Sequence, residues 1–233
     1  MSSELLCIIP ARGGSKGLPG KNLRIFHDES MVRAALRKAV SSGIFDLIVL
    51  SSDDKAILNE AEGLAVTALR RNKSNASDTA TSESVLVEVL NALAVQSGTL
   101  AMIQCTTPLL TANDIIAAMA LYVKNSPCTV VSGYVDSPHH WVLSADNGMV
   151  PVANSGFKRR GRQEAEERIF VENGGIYVTD VAAFLESGNR FNGTVIPYFM
   201  DQARSFDIDT EYDLEMAKNS GAITESGVWG FGR

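Results

Sequence analysis

Glycine and positive charge are concentrated in one short stretch near the amino terminus. Residues 10–22 read PARGGSKGLPGKN, and they follow the apolar run LLCII at residues 5–9. The glycines allow the backbone to turn sharply and to bring its N–H groups close to an anion. Arg12, Lys16 and Lys21 add positive charge that persists near neutral pH. A strand that leads into such a loop predicts a binding site for several phosphates at once.

This loop differs from the common nucleotide-binding loops. A Walker loop would need glycine in place of Ser15 and a hydroxyl residue in place of Asn22. The dinucleotide pattern GxGxxG is also missing, because Gly13 and Gly14 are adjacent. A flexible surface turn with solvated lysines is the alternative interpretation of the same residues.

Two carboxylates near the other end of the chain suggest a cation site. Residues 205–214 read SFDIDTEYDL. If this segment is extended, Asp207 and Asp209 lie on one face and Ile208 turns inward. Mg²⁺ prefers oxygen ligands and keeps phosphate oxygens and water in its remaining positions, so the pair is suited to Mg²⁺. Two ordinary surface aspartates are the alternative interpretation.

The motif ARGGSKGLPGKN resembles the signature of the cytidylyltransferases that activate acidic sugars, the acylneuraminate cytidylyltransferase (CMP-sialic acid synthetase-like) family. Three further segments resemble family motifs: QCTTPL at residues 104–109, NGGIY at 173–177 and DIDTEYDL at 207–214. Cys105 stands where the family usually has proline. The resemblance implies that CTP and an acidic α-keto sugar react to give the CMP-sugar and pyrophosphate, with Mg²⁺ as cofactor.

The resemblance also implies roles for individual residues. The catalytic residues are expected to be Arg12, Lys21, Asp207 and Asp209, of which the two aspartates hold the metal. Nucleotide contacts are expected from Ala11, Arg12, Gly13, Gly14, Ser15, Lys16, Lys21, Asn22, Arg71, Asp78, Thr79 and Ala80, with Arg71 on the side of the base. Sugar contacts are expected from Gln104, Thr106, Arg162, Asn173 and Tyr177.

Alternating apolar segments predict the elements that position these residues. Helices are expected at residues 31–42, after 51–54, from Thr81 or Ser82, and from near Thr111; strands are expected at 5–9, 47–50, 64–69, 99–103 and 129–131. This order predicts an α/β fold, a three-layer Rossmann-like arrangement with a mostly parallel sheet. The candidate segments follow strand ends, where open α/β sheets bind ligands.

The chain of 233 residues, 45% of them hydrophobic, is long enough for a single nucleotidyltransferase domain spanning 1–233. After Asp136 the pattern loosens into short pieces and a basic run at 158–162. The resemblance implies that residues 136–172 are an inserted dimerisation and substrate-contacting element, so a homodimer is expected. The basic run is either a solvated face or part of a pocket for an acidic sugar.

Charge and hydropathy argue against several partners. The net charge of −6 and pI near 5.1 do not favour nucleic acid. No apolar run approaches the roughly 18 residues that a membrane span requires, and the first residues lack the features of a signal peptide, so a cytoplasmic protein is expected. The three cysteines are far apart and form no CxxC pair.

Two other functions are compatible with parts of the pattern. A nucleotide-sugar-dependent glycosyltransferase would use the same DxD metal site, and a non-catalytic nucleotide sensor would use the glycine-rich loop alone. Within the leading interpretation the sugar is open among N-acetylneuraminic, legionaminic, pseudaminic, deaminated nonulosonic and octulosonic acids.

Overall fold

The structure is a computed structural model that describes residues 5–15, 17–72, 75, 80–136, 140–145, 148–152 and 168–225, the last five of these only as helical backbone. The strands are β1 Leu5–Pro10, β2 Ile25–Phe26, β3 Glu29–Ser30, β4 Leu47–Ser52, β5 Thr67–Arg70, β6 Thr99–Ile103, β7 Cys128–Asp136, β8 Trp141–Leu143, β9 Met149–Pro151, β10 Ile169–Asp180 and β11 Thr194–Phe199. The helices are α1 Met31–Ser42, α2 Lys55–Asn59, α3 Ser82–Ala92, α4 Ala112–Asn125, α5 Val181–Ser187 and α6 Glu211–Glu225.

The central sheet has seven strands in the order β11-β7-β10-β6-β1-β4-β5. β1 pairs in parallel with β4 and β6, and β4 and β11 pair in parallel with β5 and β7 respectively. β10 runs antiparallel to both of its neighbours, β6 and β7. The sheet is therefore mostly parallel, and the predicted α/β fold class is confirmed.

Helices cover both faces of the sheet, which gives three layers. In β1, Ile9 packs with buried residues of α1, α2, α4 and α6. Its neighbour Ile8 points to the opposite face and packs with buried residues of α3 and α5. Successive side chains of a strand alternate between faces, so a strand that is covered on both sides is apolar at every position. This explains the unbroken apolar runs of the sequence.

The predicted helix boundaries correspond to observed caps. Asp54, Thr81 and Thr111 each accept a hydrogen bond from a backbone N–H in the first turn of α2, α3 and α4. Gly43 ends α1 with φ of 66°, the left-handed conformation that favours glycine. The helices therefore begin and end where their side chains satisfy the terminal backbone groups.

The strand expected at residues 64–69 is displaced, since β5 begins only at Thr67. Residues before it continue the turns that follow α2, and the Leu64 N–H donates to the Ala61 carbonyl at 3.1 Å. A local turn therefore takes up the start of the apolar run.

Within residues 136–172, β8 and β9 form a separate two-stranded hairpin. Val142, Leu143, Met149 and Val150 of this hairpin are exposed. Residues 153–167 lie outside the described residues, so the dimerisation role of this element stays a prediction. None of the helices in the described ranges is both long and apolar enough to cross a bilayer.

Candidate active site

A cavity of about 320 Å³ lies beside the carboxyl-terminal ends of β1 and β6. Its lining brings together several segments that the sequence places far apart: Arg12, Ser15, Lys21 and Asn22 of the amino-terminal loop, Arg71 and Ala80 after β5, Gln104 and Thr106 after β6, and Asp209. The predicted phosphate loop, the segment after β5 and the predicted sugar segment therefore share one cleft.

The amino-terminal loop is held in shape by its own hydrogen bonds. The Ala11 N–H donates to the Ser51 carbonyl at 3.0 Å, which extends the pairing of β1 and β4 into the loop. The Asn22 side chain donates to the Arg12 carbonyl at 2.9 Å. Gly20 has φ of 64°, and a short 3₁₀ turn, Lys21–Leu23, follows it. The loop thus presents Arg12 and Lys21 from a defined backbone.

One backbone group of the loop is occupied by a carboxylate. The Gly13 N–H donates to Asp53 Oδ1 at 3.0 Å. Residues 51–54 were predicted only as the start of a helix, and Asp54 does cap α2. Asp53 instead supports the loop. The sequence does not predict this role, because nothing in it distinguishes Asp53 from the adjacent Asp54.

The loop contacts the acidic segment directly. Lys21 Nζ lies 2.7 Å from Asp209 Oδ1, although the two residues are 188 positions apart in the chain. A Cβ atom on Gly17 would come within 2.6 Å of the Asp209 carbonyl oxygen, so this close approach requires glycine. The positive loop and the acidic segment therefore meet in the folded chain.

Backbone hydrogen bonds position the two aspartates. Ile208 is fully buried between them, as predicted, and its N–H donates to the Thr106 carbonyl at 2.8 Å. Asp213 Oδ2 accepts from the Thr210 N–H at 2.8 Å and from the Asp209 N–H at 3.1 Å. This carboxylate caps the start of α6 and anchors the acidic segment at its carboxyl end.

The Asp207 carboxyl is poorly compensated for a buried negative charge. The surrounding protein removes part of its hydration, which raises its pKa; the Asp209 carboxylate acts in the same direction. A hydrogen bond from Thr106 and the charge of Lys21 oppose this shift without cancelling it. A cation at this position would relieve the electrostatic cost.

The donor set suits Mg²⁺. Among the described residues no group of three or more His, Cys, Asp or Glu side chains is placed to hold a metal. Asp207 and Asp209 would offer two hard oxygen ligands and leave the other positions to phosphate and water, which is how Mg²⁺ is commonly bound beside phosphates.

Arg71 closes the side of the cavity near β4. It is 7% exposed, and its Nη2 donates to the Ser51 carbonyl at 2.6 Å. Burial lowers its pKa, and the carboxylates of Asp53 and Glu88 oppose that effect. Arg71 Nε and Ser51 Oγ are buried and have no hydrogen-bond partner within the described part of the chain.

Gln104 and Asp207 flank the same glycine. A Cβ atom on Gly174, which has φ of 70°, would lie 2.8 Å from Gln104 Oε1 and 3.2 Å from Asp207 Oδ2. The missing side chain therefore lets a predicted sugar contact and a predicted metal ligand come together. The Gln104 N–H is fixed by the Gly175 carbonyl at 3.2 Å.

Asn173, an expected sugar contact, is buried, and its contact with a sugar stays a prediction. The residue is 1% exposed. Its side-chain Oδ1 accepts hydrogen bonds from Ser132 Oγ at 2.6 Å and from the Gly175 N–H at 3.0 Å. Its Nδ2 donates to Ser205 Oγ at 3.1 Å. Because these bonds use both ends of the amide, Asn173 ties β10 to the segment that leads to Asp207, and it positions the site from behind.

Tyr177, another expected sugar contact, is also packed inside the protein. It is 5% exposed, its hydroxyl donates to Glu172 Oε2 at 2.9 Å, and the Arg190 guanidinium lies 4.5 Å from its ring centre. Burial and the neighbouring Glu172 raise its pKa. Arg190 Nη1 in turn lies 3.0 Å from Glu83 Oε1 at the start of α3. No sequence motif pointed to Glu172 or Arg190.

Four predicted contacts cannot be placed. Lys16, Asp78, Thr79 and Arg162 lie outside the described residues, so their roles stay predictions.

Comparisons with known proteins agree with this geometry. A family model described as cytidylyltransferase matches residues 6–220. A pseudaminic acid cytidylyltransferase from Campylobacter jejuni is 30% identical over 220 residues, which cover 91% of this chain and 94% of that protein. An N-acylneuraminate cytidylyltransferase from Escherichia coli is 26% identical over 93% of this chain, which spans 52% of the longer relative.

A solved structure shares the fold. It is described as a CMP:2-keto-3-deoxy-manno-octonic acid synthetase complexed with CTP, with a TM-score of 0.69 and 17% identity, and the match covers 96% of this chain and 100% of that one. At this identity the likeness concerns the fold alone.

Proposed function

The chain belongs to the cytidylyltransferase family, and from this premise we propose that it transfers a cytidylyl group from CTP to an acidic α-keto sugar of the nonulosonic type. The products are a CMP-sugar and pyrophosphate. The observation that carries the proposal is the contact between Lys21 of the phosphate loop and Asp209 of the acidic pair, at 2.7 Å across one cleft.

The reaction requires charge to be stabilised on a triphosphate. The anomeric hydroxyl of the sugar attacks the α-phosphorus and loses its proton, and the bond to the oxygen of pyrophosphate breaks. Negative charge develops on the phosphoryl and leaving oxygens. Arg12 and Lys21 line the cleft where those oxygens would lie. Fixed positive groups in such a site stabilise the transition state.

Asp207 and Asp209 are the proposed ligands of Mg²⁺. When bound there, Mg²⁺ would neutralise phosphate charge and orient the phosphoryl group for attack. Burial and the Asp209 carboxylate raise the pKa of Asp207, and a cation bound by the pair would offset both effects. Lys21 keeps Asp209 oriented towards the phosphate loop.

The proposed nucleotide half of the cleft combines the loop with Arg71. Arg71 lines the cavity and is the candidate for contacts with the cytosine ring. Gln104 borders both this cavity and Asp207, so its amide is placed to orient the sugar acid next to the reacting phosphorus.

The names of the relatives support a nonulosonic acid as the acceptor, with pseudaminic and N-acylneuraminic acids as the first compounds to test. The family membership gives no support to a DxD glycosyltransferase. The exposed apolar side chains of β8 and β9 support the expected homodimer, because such a surface is commonly covered by a partner.

The test is an assay of pyrophosphate release with CTP, Mg²⁺ and a panel of sugar acids, combined with mass spectrometry of the nucleotide product. We expect pyrophosphate and a CMP-sugar in equal amounts, only when a suitable sugar acid is present, and loss of both with EDTA. Tight CTP binding without product from any acid of the panel would instead favour a nucleotide sensor. Consumption of a ready-made CMP-sugar would favour a glycosyltransferase.

A further inference from the structure

The loop between β6 and α4 carries Gln104 and Thr106 into the cleft, and it is held by side chains from other elements. Thr107 Oγ1 donates to the Asn173 carbonyl at 2.6 Å. On the other side of the loop, the ammonium group of Lys38, in α1, donates to the Pro108 carbonyl. Lys38 therefore links helix α1 to the loop that carries Gln104, the residue proposed to orient the sugar.

A second cation holds the next residue of this loop. Arg204 Nη1 lies 3.4 Å from the Leu109 carbonyl and 2.7 Å from Asp114 Oδ2. The hydrogen bond with Asp114 raises the pKa of Arg204, so its guanidinium stays charged at every relevant pH. Of these two cationic anchors, Lys38 is the one able to lose its charge under mild conditions.

Lys38 lies in a confined environment. It lines a void of about 10 Å³ together with Gln104, Cys105 and Pro108 of the loop, among others. Burial lowers the pKa of Lys38 to about 8, although the carboxylates of Glu29 and Asp114 act in the opposite direction.

The other charged or titratable groups around Lys38 do not change their charge near pH 8. Burial acts to raise the pKa of Asp114, but hydrogen bonds from Arg204, Thr111 and Tyr198 lower it overall. Burial raises the pKa of the Cys105 thiol to about 12, and burial with the hydrogen bond to Asp114 raises that of Tyr198 to about 12. Arg37, the neighbour of Lys38 in α1, pairs with Glu29 at 3.3 Å.

We propose that Lys38 is a positioning residue for the sugar-binding loop and makes binding of the sugar acid sensitive to alkaline pH. This inference rests on the proposed function. A hydrogen bond from an ammonium group is roughly twice as strong as one from a neutral amine. When Lys38 loses its proton, its hold on the Pro108 carbonyl weakens, and Gln104 is placed less accurately for the sugar.

As pH rises, the contribution of Lys38 to global stability is expected to increase, whereas its contribution to sugar binding is expected to decrease. The pKa of Lys38 is lower in the folded chain than the 10.5 of an exposed lysine. Between these two pH values the unfolded chain binds more protons, so the contribution of Lys38 to the free energy of unfolding rises with pH. A loss of sugar binding through this residue is therefore separable from unfolding.

The experiment compares wild type, Lys38→Arg, Lys38→Met and the exposed control Lys124→Met from pH 7 to 9.5. For wild type and the control we expect the KM for the sugar acid to rise about tenfold with a midpoint near pH 8, the size expected for weakening one charge-assisted hydrogen bond. Lys38→Arg should keep a low KM across the range. Lys38→Met should show the raised KM already at pH 7 and no further rise.

If the KM of Lys38→Met still rises with a midpoint near pH 8, as expected for wild type, the inference is overturned. It is also overturned if the rise in KM at alkaline pH accompanies a fall in Tm. Deuterium uptake by peptides covering residues 104–110 is measured at pH 7 on the same proteins without substrates. Faster uptake in Lys38→Met than in wild type supports the anchor, and equal uptake contradicts it. This second readout stays decisive if no sugar acid is turned over, in which case only the proposed function fails.

Discussion

The amino-terminal loop lines the cleft and strand β10 passes beside Gln104 with Gly174, and the two elements use their polar side chains differently. Arg12 and Lys21 of the loop face the cavity, and Lys21 reaches Asp209 at its edge. Asn173 and Tyr177 of β10 are buried and bonded to other parts of the protein. Changes in the loop and its acidic partner should therefore reduce activity with little effect on folding, whereas changes in β10 should act first on stability.

The largest effect is expected for Asp207→Asn. Loss of a proposed metal ligand should lower kcat by about a thousandfold, since charge stabilisation at such sites is commonly worth two to three orders of magnitude. Pyrophosphate release at saturating CTP measures this change. Activity within tenfold of wild type would remove Asp207 from the proposed metal site.

The same substitution should leave the fold intact or strengthen it. Burial raises the pKa of Asp207 above that of an unfolded carboxyl, so its contribution to the free energy of unfolding falls as pH rises through the two pKa values. Asn cannot ionise and avoids this cost. We expect the Tm of Asp207→Asn at pH 7 to equal or exceed that of wild type, and a clear decrease would show that Asp207 is mainly structural.

The second largest loss of activity is expected for Lys21→Met, which changes the phosphate loop. The change removes the cation next to Asp209 and the proposed triphosphate, so kcat/KM for CTP should fall about a hundredfold. Lys124→Met serves as the matched control on an exposed surface of α4. Equal activity of Lys21→Met and the control would mean that the loop does not bind the reacting phosphates.

Asn173→Ala tests the opposite behaviour. Removing the amide leaves Ser132 and Ser205 without their buried partner, which should reduce the free energy of unfolding by about 2–3 kcal/mol. Urea unfolding measures this loss. At low temperature the KM for the sugar acid should stay within about threefold, because the described contacts of the Asn173 amide are all with the protein itself. An unchanged stability with a greatly raised sugar KM would restore the direct contact predicted from the sequence.

Tyr177→Phe should have the smallest effect. It removes the hydrogen bond to Glu172 but keeps the ring beneath Arg190, so a loss of about 1 kcal/mol in unfolding free energy is expected. Thermal unfolding and sugar kinetics report this change together. A loss of activity without a loss of stability would indicate that the hydroxyl acts on the substrate.

The same contrast explains which parts of the site were predictable. The loop at residues 11–22 and the pair at 207–209 are each short, unbroken stretches whose charges and glycines are recognisable in the sequence, and the contact between Lys21 and Asp209 joins them in the folded chain. The alternating apolar runs likewise predicted the layers of the fold, because burial on both faces leaves a recognisable pattern in each strand.

The sugar half was less predictable for a physical reason. NGGIY contains a typical polar residue for a binding site, but whether Asn173 faces the cleft depends on Ser132 and Ser205, which are distant in sequence. Asp53, Glu172, Arg190 and Arg204 gain their roles only from tertiary contacts. A motif indicates that a segment belongs to the site, and long-range packing decides which of its side chains point into the cleft.

The most direct measurement is the affinity for CTP, determined by calorimetry with and without Mg²⁺, in wild type and in a variant with Asp207→Ala and Asp209→Ala together. If the phosphate loop and the acidic pair act on one triphosphate, Mg²⁺ should strengthen CTP binding to wild type by about tenfold or more, while the variant should lose that gain and keep its metal-free affinity. An equal gain from Mg²⁺ in both proteins would contradict the account.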